Sequence, residues 1–140
     1  MRTLFPSYRV GDLERSLAFY TAVGYRVLGR VPVGEGSTLA LLAFPEEAAA
    51  TLELVHRPSE GPVELGGFDH LAVQVDDLSR TLRALERRGL RPGPLELPAG
   101  EDGPRTAWLA DPDGSRIELV EWPPGHEEGI TAADFAAEEG

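Results

Sequence analysis

The amino-acid sequence repeats itself at one fixed spacing. Arg9-Val10-Gly11-Asp12-Leu13 lines up with Gln74-Val75-Asp76-Asp77-Leu78, and Leu52-Glu53-Leu54-Val55-His56-Arg57-Pro58 with Ile117-Glu118-Leu119-Val120-Glu121-Trp122-Pro123; both alignments need an offset of 65 residues. Arg15 with Arg80, Leu17 with Leu82, Gly24 with Gly89 and Arg26 with Arg91 keep that offset with no net gap. A repeat this regular means one supersecondary unit used twice. A length of 140 residues leaves room for one compact domain, or for two small halves that share a core.

Each copy reads as β-α-β-β-β, an α+β arrangement. A short strand comes first, near Leu4–Val10 and Phe68–Val75. A helix follows, opened by Asp12 or Asp77 as the N-cap. Leu13, Leu17 and Tyr20 in the first copy, and Leu78, Leu82 and Leu85 in the second, fall at spacings of three and four and form one apolar stripe. Gly24 and Gly89 stand where a left-handed C-cap is wanted. Three strands are expected next, over Tyr25–Val33, Thr38–Phe44 and Thr51–His56, then over Leu90–Leu97, Arg105–Ala110 and Ser115–Glu121. Asp111-Pro112-Asp113-Gly114 predicts a tight turn. The organisation is a single domain over 1–123, with module one over about 3–58, a Pro/Gly-rich linker at 59–67 and module two over about 68–123. An acidic tail at 124–140 follows, which reads equally as a frayed terminus or as a short helix capped by Thr131 with Ile130 and Phe135 as a hydrophobic staple.

Strand parity decides what faces where. Leu71, Val73 and Val75 should pack under the second helix, which sends His70, Ala72 and Gln74 to the other face. Tyr8 and Val10 take the helix side of the first copy; Phe5, Ser7 and Arg9 take the opposite side. Leu52, Leu54, Ile117 and Leu119 also pack under helices, so Glu53 and Glu118 project away from them. Each glutamate sits mid-strand between large aliphatics, where a carboxylate needs a cation or donors. An arginine such as Arg9, Arg105 or Arg116 would satisfy it in the ordinary way. If the helix-free faces of the two copies curl together, Glu53, His70 and Glu118 converge instead, and two carboxylates with one imidazole suit Zn, Ni, Mn, Co or Fe(II). His56 has the wrong parity for that set, and His126 falls in the tail loop.

At these residues the chain resembles the vicinal oxygen chelate superfamily of glyoxalases, bleomycin resistance proteins and extradiol dioxygenases, and within it bacterial glyoxalase I. The resemblance covers about Thr3–Pro123. It rests on Arg9-Val10-Gly11-Asp12-Leu13 with Phe19-Tyr20, on Asp69-His70-Leu71-Ala72, and on Asp111-Pro112-Asp113-Gly114 followed by Ile117-Glu118-Leu119. It implies tandem βαβββ modules forming an open cup-shaped mixed sheet with helices outside, around a divalent metal, in a homodimer. The family's four ligand positions carry over to Phe5, Glu53, His70 and Glu118. Phe5 stands where the family has His or Gln and cannot ligate, which leaves three protein ligands and more water. Arg9 matches the family's glutathione-contacting arginine, and Arg57 replaces an asparagine used for the same purpose.

The activity implied is that of a metal-dependent lyase or isomerase acting on a small thiol adduct or another vicinal-dioxygen substrate. A proton moves between adjacent carbons through a metal-stabilised enediolate, with Glu118 as the first candidate base and Glu53 the second. His70 would be a pure ligand, and Arg9 would hold an anionic substrate group. A drug-sequestering binding protein of the same superfamily is the alternative, with Phe5, Trp108 and Trp122 lining the cup. An Fe(II) ring-cleaving dioxygenase ranks third, because such a site resembles two His and one carboxylate. Composition narrows the field further. A net charge of −11 argues against nucleic acid. The chain has no Cys, which removes disulfides and thiolate ligands. No apolar run reaches a membrane span, and the N-terminus has no signal pattern, so a cytoplasmic location is expected.

Overall fold

A computed structural model describes residues 2–136. The elements, in chain order, are β1 (Ser7–Arg9), α1 (Leu13–Val23), β2 (Arg26–Pro32), β3 (Thr38–Ala43), β4 (Leu52–His56), a short 3-10 turn at Pro58–Glu60, β5 (His70–Gln74), α2 (Leu78–Arg87), β6 (Arg105–Ala110), β7 (Arg116–Glu121) and α3 (Ala132–Ala136). They fall into two compact units. Among the described residues, the first runs to Asp69 and also holds Ala110–Ser115; the second holds His70–Leu109 and the described chain from Arg116 to Ala136. No helix among the described residues is long and apolar enough to cross a membrane.

The first unit is a four-stranded mixed sheet in the order β1-β4-β3-β2. β1 runs parallel to β4, with Ser7 opposite Glu53 and Tyr8 opposite Leu54. β3 is antiparallel to both β4 and β2. α1 starts where predicted: Asp12 is extended (φ −141°) and its carboxylate accepts the N–H of Arg15 at 3.1 Å. It stops at Gly24, whose φ of 132° suits glycine and lets its N–H reach Tyr20 and Thr21 carbonyls. Leu17 and Tyr20 of α1 are buried with Leu52 and Leu54 of β4, against which the helix packs. Each fully buried leucine contributes about 1.5–3 kcal/mol.

The turn Asp111–Ser115 is the most elaborately bonded segment of this unit. Asp111 Oδ1 accepts the N–H groups of Asp113 and Ser115, at 2.9 and 2.8 Å, and Oδ2 accepts the Tyr20 hydroxyl at 2.8 Å. Tyr20 is fully buried and its hydroxyl also bonds that of Tyr8. Burial pushes the Asp111 carboxyl above its usual range, against the three hydrogen bonds that favour the anion. Asp113 in turn accepts the Gly11 N–H with both oxygens. A Cβ at Gly11 would stand 2.9 Å from Asp113 Oδ1, so a side chain there would push the Asp113 carboxylate off this N–H.

The second unit is a three-stranded sheet in the order β5-β7-β6. β5 runs parallel to β7, with Ala72 opposite Glu118 and Val73 opposite Leu119. These pairs lie 65 residues beyond Ser7–Glu53 and Tyr8–Leu54, so the repeat is one of hydrogen-bond register as well as of sequence. The caps repeat too. Asp77 accepts the Arg80 N–H at 3.1 Å, and α2 ends at Arg88 before Gly89, with φ 85°. Leu78 and Leu85 are buried with Ile117 and Leu119 of β7, on which α2 packs, while Leu82 is only half-buried. Glu121 Oε1 caps α2 by accepting the Leu78 N–H at 2.7 Å.

One strand expected from the repeat does not form. Leu90–Leu97 matches β2 in position, but only a single bridge joins it to β6, between Glu96 and Thr106. Pro92, Pro94 and Pro98 have no N–H to give a ladder. The segment bonds β6 only through the N–H of Gly93 to Trp108 O and the Glu96–Thr106 exchange. In the tail, α3 begins after Thr131, whose N–H and hydroxyl both donate to Asp134 Oδ2. Ile130 and Phe135 stay 66% and 60% exposed, so the expected staple covers neither. The last four residues of the predicted tail lie outside the described residues.

Candidate functional site

In the second unit, Leu119 and Glu121 of β7 face α2, so period-two alternation turns Arg116 and Glu118 to the opposite side. His70 joins them from β5. It lies opposite Arg116 and one diagonal step from Glu118, which brings its Nε2 to 3.5 Å from Glu118 Oε1. Both side chains are half-buried, at 31% and 23% exposure, so the pair is sheltered and still open to a ligand. Trp108 of β6 completes the cluster. Its ring meets that of His70 edge-on at 5.0 Å, and the Arg116 guanidinium lies over it at 3.9 Å.

In the first unit the equivalent carboxylate has different company. Glu53 Oε1 accepts the Ser7 hydroxyl at 2.7 Å directly across the β1–β4 pair. Phe5, two residues before Ser7, is half-buried and sits where the second unit has His70. The two arginines expected to hold substrate are engaged by one carboxylate. Arg9 Nε lies 3.4 Å from Glu60 and its Nη2 donates to Gly61 O at 2.7 Å, while Arg57 Nη1 lies 3.6 Å from the other Glu60 oxygen.

The arginine partners considered for the two glutamates are thereby excluded. Arg9 pairs with Glu60, Arg105 with Glu121 at 3.7 Å, and Arg116 with the face of Trp108. Trp122 donates its Nε1 to Gln74 Oε1 at 3.1 Å, and Gln74 donates to Glu127 O, so this indole secures the tail. His56 stands opposite Thr38 and lines a shallow cleft with Asp12 and Arg30, off the glutamate face as parity requires. His126 pairs with Asp134 at 3.4 Å.

The donor set fits a divalent ion with one imidazole and one carboxylate, His70 and Glu118. Among the described residues no group of three or more His, Asp or Glu side chains stands close enough together to hold one. Nothing in the sequence points to Glu60 beside Arg9 and Arg57. Ser7 reads there only as a residue on the face of Phe5, and Arg116, two residues before Glu118 and therefore on the same face, only as an ordinary ion-pair partner.

The sequence model of the "Glyoxalase/Bleomycin resistance protein/Dioxygenase superfamily" matches residues 4–119. A lactoylglutathione lyase of Neisseria meningitidis is 38% identical over 128 residues, covering 86% of this chain and 91% of that one. The solved trypanothione-dependent glyoxalase I of Leishmania major superposes with a TM-score of 0.74 at 29% identity, over 99% of this chain and 98% of that one. An antibiotic-binding protein of Streptomyces sp. CB03234 superposes with a TM-score of 0.67 at 25% identity, over 87% and 96%. The chain spans only 35% of the length of a plant relative from Arabidopsis thaliana.

Proposed function

The chain belongs to the glyoxalase/bleomycin resistance/dioxygenase superfamily, and from that membership we propose a lyase of the glyoxalase I type, acting on the hemithioacetal of a 2-oxoaldehyde and a thiol. The observation that carries the reading is the His70–Glu118 pair, half-buried on the sheet face turned away from α2. The name shared by its relatives, lactoylglutathione lyase, supports the reaction and glutathione as the thiol.

His70 would hold the ion through Nε2, the nitrogen that faces Glu118, and Glu118 through a carboxylate oxygen. By the family resemblance Glu53 would be the third ligand and the second candidate base. When bound, a divalent ion supplies Lewis-acid polarisation of the two substrate oxygens. Glu118 takes the proton from the carbon bearing sulfur and hydroxyl and returns it to the neighbouring carbon. One C–H and one O–H bond break and one of each forms, the hydroxyl proton of the sulfur-bearing carbon being lost as the former ketone oxygen gains one, so the 2-hydroxyacyl thioester is an isomer of the substrate and no oxidant or reductant is needed. Phe5 offers no lone pair in place of a fourth ligand, and it narrows the protein's share of the coordination. A homodimer belongs to the same reading, supported by β2, an edge strand that leaves Val27, Leu28 and Val31 exposed.

A binding protein is the second reading, favoured by Phe5 and by the likeness to the antibiotic-binding protein. Titration with Zn²⁺ or Ni²⁺, followed by an assay of S-lactoylglutathione formation, separates the two. Glu118→Gln is expected to lower kcat by about 10²–10⁴-fold with an unchanged circular-dichroism spectrum. A variant that turns over at the wild-type rate removes Glu118 from the mechanism, and a protein that binds neither metal returns the binding reading.

A further inference from the structure

We infer that Arg116, laid against Trp108 beside the His70–Glu118 pair, is the anion-binding residue of this site and selects substrates that carry a carboxylate. The inference rests on the lyase reading and names its substrate class more closely. Arg116 is exposed, and no carboxylate among the described residues lies within ion-pair distance of it. Arg9, Arg57 and Arg105 differ in this respect, because Glu60 and Glu121 already occupy them. The guanidinium carbon rests 3.9 Å from the Trp108 ring centroid, and an indole accepts no conventional hydrogen bond through its face, so the N–H groups of Arg116 remain available for a two-pronged contact with a carboxylate. Trp108 thus fixes the cation without neutralising it, and less side-chain freedom is lost when a ligand arrives. The location is specific, since Arg116 is the register partner of His70 and lies two residues from Glu118 on the same face. A chain of net charge −11 repels anions at long range, so an anionic substrate needs a held cation at the place where it docks.

The test uses the full chain with Trp122→Phe, which leaves Trp108 as the only indole. Its fluorescence is titrated with S-hexylglutathione and, separately, with the dimethyl ester of that thioether, and zinc affinity is measured in parallel. Arg116→Ala is expected to weaken the acid by about tenfold or more. Arg116→Met, which keeps an apolar stem over the ring, is expected to match it. Arg116→Lys should fall between these variants and the parent. The ester should bind all four proteins alike, and zinc affinity should not move. Equal affinity for the acid across the series overturns the role of Arg116 and leaves the lyase reading standing. The same follows if the ester weakens as much as the acid, or if zinc affinity falls with Arg116. Failure of the parent to bind either form overturns both.

Discussion

Ser7 stands opposite Glu53 in the first unit, and Ala72 stands opposite Glu118 in the second. The backbone ladder is the same; the chemistry around the carboxylate is not. Ser7 donates a hydrogen bond to Glu53, and two residues earlier Phe5 supplies an aromatic ring with no lone pair. Ala72 gives Glu118 nothing, and two residues earlier His70 supplies an imidazole nitrogen at 3.5 Å. Where an imidazole stands beside the carboxylate no local donor is needed, and where it is missing a hydroxyl takes over one oxygen. Duplication therefore preserved the position of the acid and left its function to the residues at the diagonal and directly opposite it.

Exchanging the diagonal residues is the sharpest way to break this contrast. His70→Phe gives the second unit the pattern of the first, and divalent-ion affinity should fall by more than the roughly 10–100-fold lost when a group that only supports a ligand from behind is removed. Phe5→His is the reverse exchange and should tighten zinc binding by calorimetry; an unchanged affinity would show that the first unit has lost more than a ligand. A smaller effect is expected at the segment that only the first unit possesses. Tyr20→Phe leaves Asp111 Oδ2 buried without its donor and should cost about 1–3 kcal/mol in denaturant unfolding, with zinc affinity unchanged. Its pH dependence follows from the raised Asp111 carboxyl. That residue's contribution is fully present below the ordinary aspartate value near pH ~4 and is lost as pH rises through the shifted value. Removing a bond that favours the anion should move the window of loss upward. Ser7→Ala should change least, by under about 1.5 kcal/mol, because the bond is exposed. A large loss of turnover there would mean that Ser7 positions Glu53.

The elements whose signals are local were legible before any coordinates. Asp12 and Asp77 cap their helices, and Leu52, Leu54, Ile117 and Leu119 face inward, because capping and period-two alternation depend on neighbouring residues alone. Strand parity put His70 and Glu118 on one face, but their pairing depends on the parallel register of β5 and β7, which no residue of either strand announces by itself. The strand that the repeat predicts over Leu90–Leu97 does not form, because Pro92 and Pro94 interrupt its ladder in a way β2 is not interrupted. The partners of Arg9 and Arg57 were hidden for a different reason. Glu60 lies in an irregular turn with no period to reveal which way its side chain points.

The hydrogen bonds from Tyr20 and Gly11 to the Asp111–Ser115 turn join residues 91 and 102 positions apart. During synthesis the first sheet and α1 emerge early, yet the hydroxyl at their centre has no carboxylate to bind until Asp111 leaves the ribosome. Completion of the first unit must wait for nearly the whole chain, and contacts of such long sequence separation slow folding. A nascent chain stalled before Asp111 would therefore hold an unfinished first unit, however many of its own strands were already made.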